Sequence, residues 1–184
     1  MRIANLANTL TLLRLVLVPI FLLALFAGDG HQIGFRIVAF VIFAVAAITD
    51  RLDGLLARNY GLATEFGAFV DPIADKTLIG SALVGLSMLG ELAWWVTVLI
   101  LVREVGVTLL RLAVIRRGVI PASFGGKLKT VVQATAIGLF VLPLSGPFLV
   151  AASVVMAVAV VLTVVTGIDY VASTIRELRR TAGG

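Results

Sequence analysis

The sequence predicts an all-α integral membrane protein with six transmembrane helices and an N-terminal interfacial segment. Three observations carry that reading. Apolar runs of about 17 to 25 residues recur from end to end, the length a helix needs to cross a hydrocarbon layer. Hydrophobic residues make up 60% of the chain, and the mean hydropathy of +1.13 lies far above that of ordinary globular proteins. Basic residues gather in alternate loops. A length of 184 residues fits one domain, spanning 1–184.

Residues 1–14, MRIANLANTLTLLR, are mildly polar and are expected at the membrane interface. The first span continues through Leu15 to Phe26 and ends in the turn Gly28-Asp29-Gly30. It lacks an A-x-A-like end before Gly28, which argues against a cleavable signal peptide. A second span runs from about Ile33 to Ile48 and on into an acidic segment, broken at Asn59-Tyr60-Gly61. The third begins near Thr64 and ends at Gly90-Glu91, and the fourth covers Trp94 to Ile115. A polar loop, Pro121 to Lys129, precedes a fifth span from Thr130 to Leu144. The sixth runs from Phe148 to about Ala172, leaving 173–184 as a polar cytoplasmic tail.

One set of loops holds Arg2 and Arg14, Arg51 and Arg58, Arg116, Arg117, Lys127 and Lys129, then Arg176 to Arg180. The opposite set holds Arg36, Asp29 and Glu91. The positive-inside rule therefore places both termini and the acidic segment on the cytoplasmic side of a multi-pass protein of the cell (inner) membrane. The formal charge of +5 is then read as attraction to membrane lipids and not to nucleic acid. The absence of cysteine excludes a thiol nucleophile and any cysteine-bearing metal site. His31, the only histidine, falls in a short outer loop, which excludes histidine-based catalysis. Trp94 and Trp95 at the outer edge of the fourth span read as interfacial anchors.

The chemistry concentrates in Asp50 to Lys76, DRLDGLLARNYGLATEFGAFVDPIADK. Carboxylates in such apolar surroundings are costly and call for a compensating partner. Taking Asp50 as zero, a helix puts Asp53 at about −60°, Gly54 at about +40° and Ala57 at about −20°. Gly67, Asp71 and Asp75 follow at four-residue steps and share a face of the next helix. A short connection makes the two helices antiparallel neighbours, so four carboxylates converge. Without a cation some of them would have to protonate. Oxygen-only ligation favours magnesium, manganese or calcium over zinc. Two such ions are the usual means of substitution at phosphorus. Glycine at 54 and 67 leaves room for a ligand to approach, and Arg58 suits a phosphate. The competing reading is a row of interfacial charges paired with Arg51, Arg58 and Lys76. It gives no reason for glycines interleaved with the acids.

The pattern Asp50-x-x-Asp53-Gly54-x-x-Ala57-Arg58, eight residues, Gly67-x-x-x-Asp71-x-x-x-Asp75 resembles the full signature of the CDP-alcohol phosphotransferases. That resemblance implies six transmembrane helices, a homodimer, and two Mg2+ or Mn2+ ions held by Asp50, Asp53, Asp71 and Asp75. It implies that the CDP-activated lipid lies against Asp53, Gly54, Ala57, Arg58 and Gly67. Asp75 would be the catalytic base on the acceptor alcohol.

Four further stretches resemble one branch of that family, whose members join CDP-diacylglycerol to sn-glycerol 3-phosphate and release CMP. They are Asn8-x-Leu10-Thr11-x-x-Arg14, Asp71-Pro72-x-Ala74-Asp75-Lys76, Arg103-Glu104-x-x-x-Thr108-x-x-Arg111 and Gly126-Lys127-x-Lys129-Thr130-x-x-Gln133. Ala7 stands where the family often has proline. Asn8 and Thr11, with Arg14, are expected near the diphosphate or lipid of CDP-diacylglycerol.

The acceptor is a small dianion and needs fixed cations. Glu104, Thr108 and Arg111 share a face of the fourth helix, while Arg103 points about 100° away from Glu104. Lys127 and Lys129 are expected in the loop before the fifth helix, where attraction to the membrane surface is their alternative role. Arg103, Thr108, Arg111, Lys127 and Lys129 are the candidate acceptor-phosphate ligands. Asp169 and Tyr170 are read as cavity wall or as a buried hydrogen-bonded pair. Alternative acceptors are phosphatidylglycerol (as in a cardiolipin synthase), inositol phosphate or serine. A cation transporter is the rival from another class, but it would place acids near the midplane on several helices.

Overall fold

The computed structural model describes the backbone of residues 2–60, 65–115 and 125–182, and the side chains of 12–49, 76–114, 126 and 128–179. Among the described residues every element is helical. The six α-helices are α1 (Arg2–Phe26), α2 (Ile33–Tyr60), α3 (Glu65–Met88), α4 (Trp94–Ile115), α5 (Gly125–Val141) and α6 (Pro147–Ala182). A single 3-10 turn, Ala27–Gly30, joins α1 to α2, with Gly28, Asp29 and Gly30 all at positive φ.

The boundaries depart from expectation in three places. The N-terminal segment belongs to one unbroken helix with the first span, because nothing between Asn8 and Arg14 stops helical hydrogen bonding. Lys127 and Lys129 lie within α5, not in the loop before it, since that helix already starts at Gly125. Most of the polar tail is a helical extension of α6, reaching Ala182.

Leu12–Gly30 and Pro147–Arg179 are long and apolar enough to cross a membrane by length and composition. Shorter apolar stretches occupy Ile33–Thr49, Lys76–Met88 and Leu128–Val141. Large apolar side chains lie outward along the helices, among them Leu23, Val102, Phe148, Val161 and Ile168, each more than half exposed. In water such a surface would drive aggregation; in a bilayer it is the solvated face.

α1 packs along both α2 and α3, α5 pairs with α6, and α4 leans on α6 and α3. Among the described residues α2 and α3 touch in few places, and α1 packs along both. Buried alanines supply the close approaches: Ala39 and Ala46 in α2, Ala82 in α3, Ala136 in α5, Ala152 and Ala159 in α6. Gly85 marks a close α1–α3 approach, since a Cβ there would stand 2.7 Å from Leu25 Cδ2. Phe21 and Phe43 meet with ring centroids 5.8 Å apart at a 45° tilt, which locks α1 to α2.

The end of the bundle away from the acidic segment is closed by Arg36, buried at the start of α2. Its Nη1 and Nη2 donate to the two carboxylate oxygens of Glu91 at 2.7 and 2.5 Å. The remaining donors reach the carbonyls of Val141 (2.7 Å), Phe140 (2.6 Å) and Gly30 (3.1 Å). One guanidinium thus ties the α1–α2 turn, the α3–α4 loop and the end of α5. Ser87 and Thr97 share a hydrogen bond of 2.7 Å that joins α3 to α4 nearby.

Candidate active site

Asp50, Asp53, Gly54, Ala57 and Arg58 fall in the last turns of α2, and Gly67, Asp71 and Asp75 in the first turns of α3. Asn8 and Thr11 lie in α1. The backbone is helical through all of them, as the three- and four-residue spacings require. The side chains of these ten residues, and of Lys127, lie outside the described ones.

The described part of the site is a cluster of charge centred on Glu104, in the middle of α4. The Lys129 ammonium donates to Glu104 Oε1 in a very short ion pair between α5 and α4. Arg103 Nη1 donates to the same oxygen at 3.0 Å, and its Nη2 donates to Thr166 Oγ1 of α6 at 2.9 Å. Lys76, the residue after Asp75 in α3, is also close enough for its charge to act on Glu104. Cations from α4 and α5 thus hold one carboxylate, Lys76 of α3 acts on it at longer range, and α6 contributes a hydroxyl. Among the described residues the cations of this cluster outnumber its single carboxylate, an arrangement suited to an incoming dianion.

Two expectations change here. Arg103 does belong to the cluster: its Cα faces away from that of Glu104, but the long side chain folds back to the neighbouring carboxylate. Gly167 makes this possible, because a Cβ there would stand 3.2 Å from Arg103 Cγ. Lys129 is no surface charge. It is 3% exposed and held by a carboxylate, which removes membrane-surface attraction as its role.

The other candidates are placed less tightly. Thr108 Oγ1 donates to the Glu104 backbone carbonyl at 2.8 Å, one turn back on its own helix. Arg111 is exposed further along α4, with its guanidinium carbon 6.0 Å from the centroid of the Tyr170 ring. Asp169 and Tyr170 do not form a buried pair. Tyr170 is buried and Asp169 is exposed, the two lying about 100° apart around the helix. Arg14 is buried in α1. His31 is exposed, its Nδ1 2.7 Å from the Asp29 carbonyl oxygen.

Sequence reasoning named no role for Glu104, the hub of the cluster, or for Arg36. For Glu104 the signal was there: an acid inside an apolar span implies a cation partner. For Arg36 it was the opposite charge at Glu91, alone in the other outer loop.

The sequence profile of the CDP-alcohol phosphatidyltransferases matches residues 4–165. The chain belongs to that family. Its relatives include a probable phosphatidylglycerophosphate synthase of Mycobacterium tuberculosis, 78% identical over 177 residues, covering 96% of this chain and 85% of that protein. The CDP-diacylglycerol–glycerol-3-phosphate 3-phosphatidyltransferase of Bacillus subtilis is 36% identical over 182 residues, covering 90% and 93% respectively. The protein of the same name from Haemophilus influenzae is 33% identical over 172 residues, covering 90% and 91%. A CDP-alcohol phosphatidyltransferase with two apolar helices of spanning length is a membrane protein, consistent with the outward apolar surface of this bundle.

Proposed function

We propose that the chain transfers the phosphatidyl group of CDP-diacylglycerol to sn-glycerol 3-phosphate, giving phosphatidylglycerophosphate and CMP. The observation that carries this is the pair of cations, Arg103 and Lys129, held on Glu104 between α4 and α5. A phosphate-bearing acceptor needs such a cluster; an uncharged alcohol does not.

In this reading Asp53, Gly54, Ala57, Arg58 and Gly67 receive the cytidine diphosphate, with Asn8 and Thr11 flanking it from α1. Asp50, Asp53, Asp71 and Asp75 form an all-oxygen donor set that fits two Mg2+ or Mn2+ ions. When bound, those ions neutralise the diphosphate and stabilise the departing oxygen. Arg103 and Lys129, with Lys127, Thr108 and Arg111 toward the end of α4, hold the acceptor phosphate. Asp75 takes the proton from the acceptor's primary hydroxyl. That oxygen bonds to the phosphorus carrying diacylglycerol, and the bond from this phosphorus to the CMP oxygen breaks, its electron pair leaving with CMP.

The bundle is read as six spans with both termini and the site on the cytoplasmic side, and as a homodimer. Acyl chains then stay in the lipid while CMP and the acceptor exchange with the cytoplasm. Purified protein supplied with CDP-diacylglycerol and a divalent metal is expected to release CMP with sn-glycerol 3-phosphate, and not with phosphatidylglycerol, inositol phosphate or serine. Release with phosphatidylglycerol but not glycerol 3-phosphate would overturn the assignment.

A further inference from the structure

Gln133 lies one turn beyond Lys129 on the same face of α5, and the two are equally buried, at 3% exposure. Lys129 is spoken for by Glu104. Gln133 is not: its Oε1 is buried without a hydrogen-bond partner among the described residues. Buried carboxamides that serve only structure are ordinarily bonded to backbone, side chain or water, because water's hydrogen bonds have been given up. An apolar side chain of the same size would fill this position at lower cost. Across the Lys129–Glu104 pair, Arg103 Nε is likewise buried with no partner among the described residues. One unspent acceptor and one unspent donor thus sit on the two helices that the ion pair joins.

Lys129 and Gln133 are about 6 Å apart along the helix axis. That separation suits a molecule carrying a phosphate and, a few bonds away, a hydroxyl. In the reaction proposed above, the phosphate of glycerol 3-phosphate has its cations and the attacking primary hydroxyl has Asp75. The secondary hydroxyl has no partner.

We propose that Gln133 is a specificity-determining residue that reads this secondary hydroxyl, which donates to Gln133 Oε1 while Lys129 and Arg103 hold the phosphate. The inference rests on the acceptor site assigned under Proposed function.

The test compares sn-glycerol 3-phosphate with 3-hydroxypropyl phosphate, which keeps the phosphate and the primary hydroxyl and lacks the secondary one. Wild-type protein is expected to favour glycerol 3-phosphate about tenfold in kcat/KM, the worth of one neutral hydrogen bond. Gln133→Met, of similar shape, should lower kcat/KM for glycerol 3-phosphate about tenfold and leave that for 3-hydroxypropyl phosphate unchanged, bringing the ratio near one. Equal use of both acceptors by wild-type protein would overturn the inference without recourse to any variant. So would a Met variant that loses both activities alike, the mark of a purely structural glutamine. Should the Met variant fail to fold, Gln133→Asn keeps the amide but shortens its reach, and a ratio as large as wild type would again overturn it. CMP release with neither acceptor, but with another alcohol, would remove the acceptor assignment itself and the inference with it.

Discussion

At the scale of single residues, two side chains separate binding from chemistry. Lys129 is a buried ammonium whose charge is shared between Glu104 and, on the proposed reading, an acceptor phosphate. Lys129→Gln is expected to raise KM for glycerol 3-phosphate by about 10- to 100-fold, the range for losing a charge-assisted hydrogen bond, with KM for CDP-diacylglycerol little changed. Steady-state kinetics with each substrate varied in turn would show it; a parallel rise in both constants would point to a general loss of structure. Asp75→Asn keeps the size of the side chain but cannot take a proton. CMP release is expected to fall by about 10²- to 10⁴-fold, the usual contribution of a positioned base. Binding of CDP-diacylglycerol, measured by calorimetry, should persist, and turnover near wild-type would exclude Asp75 as the base.

Between elements, one extensive polar tie among the described residues lies at the end remote from the signature. Arg36 satisfies Glu91 and three carbonyls at once, so its removal leaves a partly buried carboxylate and unpaired backbone groups. Breaking such a pair costs about 3–5 kcal/mol, with the lower end expected because Glu91 is 29% exposed. Arg36→Met should therefore lower the melting temperature in detergent, and adding Glu91→Gln should recover part of the loss. The acidic segment lies about 20 Å along α2 from Arg36, so turnover per folded molecule should hold. Failure of the double variant to recover any stability would mean that the carbonyl contacts, not the ion pair, carry the effect. At the element scale glycine also has a job in the site. Gly167 leaves α6 open where Arg103 folds back, and Gly167→Val should push that guanidinium off Glu104 and weaken acceptor binding in the same assay.

For the whole molecule, the six-span reading fixes which loops face which side of the bilayer, and labelling tests it. The chain has no cysteine, so single cysteines can report sidedness without background. Ser145→Cys, between α5 and α6, and Gly183→Cys, in the sequence just after α6, are expected to react with a membrane-impermeant thiol reagent from opposite faces of oriented vesicles. Labelling of both from one face would refute α6 as a span with a cytoplasmic end.

Much of this protein is written in its residue order, and the parts that are not share a cause. The sequence by itself determined the helices, because apolar length and Gly-Asp-Gly or Ser-Gly-Pro turns are local signals that no distant contact need supply. It also carried the family: the spacing of Asp50, Asp53, Asp71 and Asp75 follows helical periodicity, and the family profile matches residues 4–165, which include that segment. Only the tertiary structure decided which charges meet. Arg103, set about 100° from its neighbour on a helical wheel, turns back onto Glu104 because α6 presents Gly167 and Thr166 there. Lys129, read as a loop residue, is buried because α5 starts early and packs against α4's carboxylate. Arg36 finds Glu91, 55 residues away, only once the α1–α2 turn and the α3–α4 loop come together. A helix's face follows from its own sequence, but the partner of a long charged side chain depends on which neighbour leaves room for it.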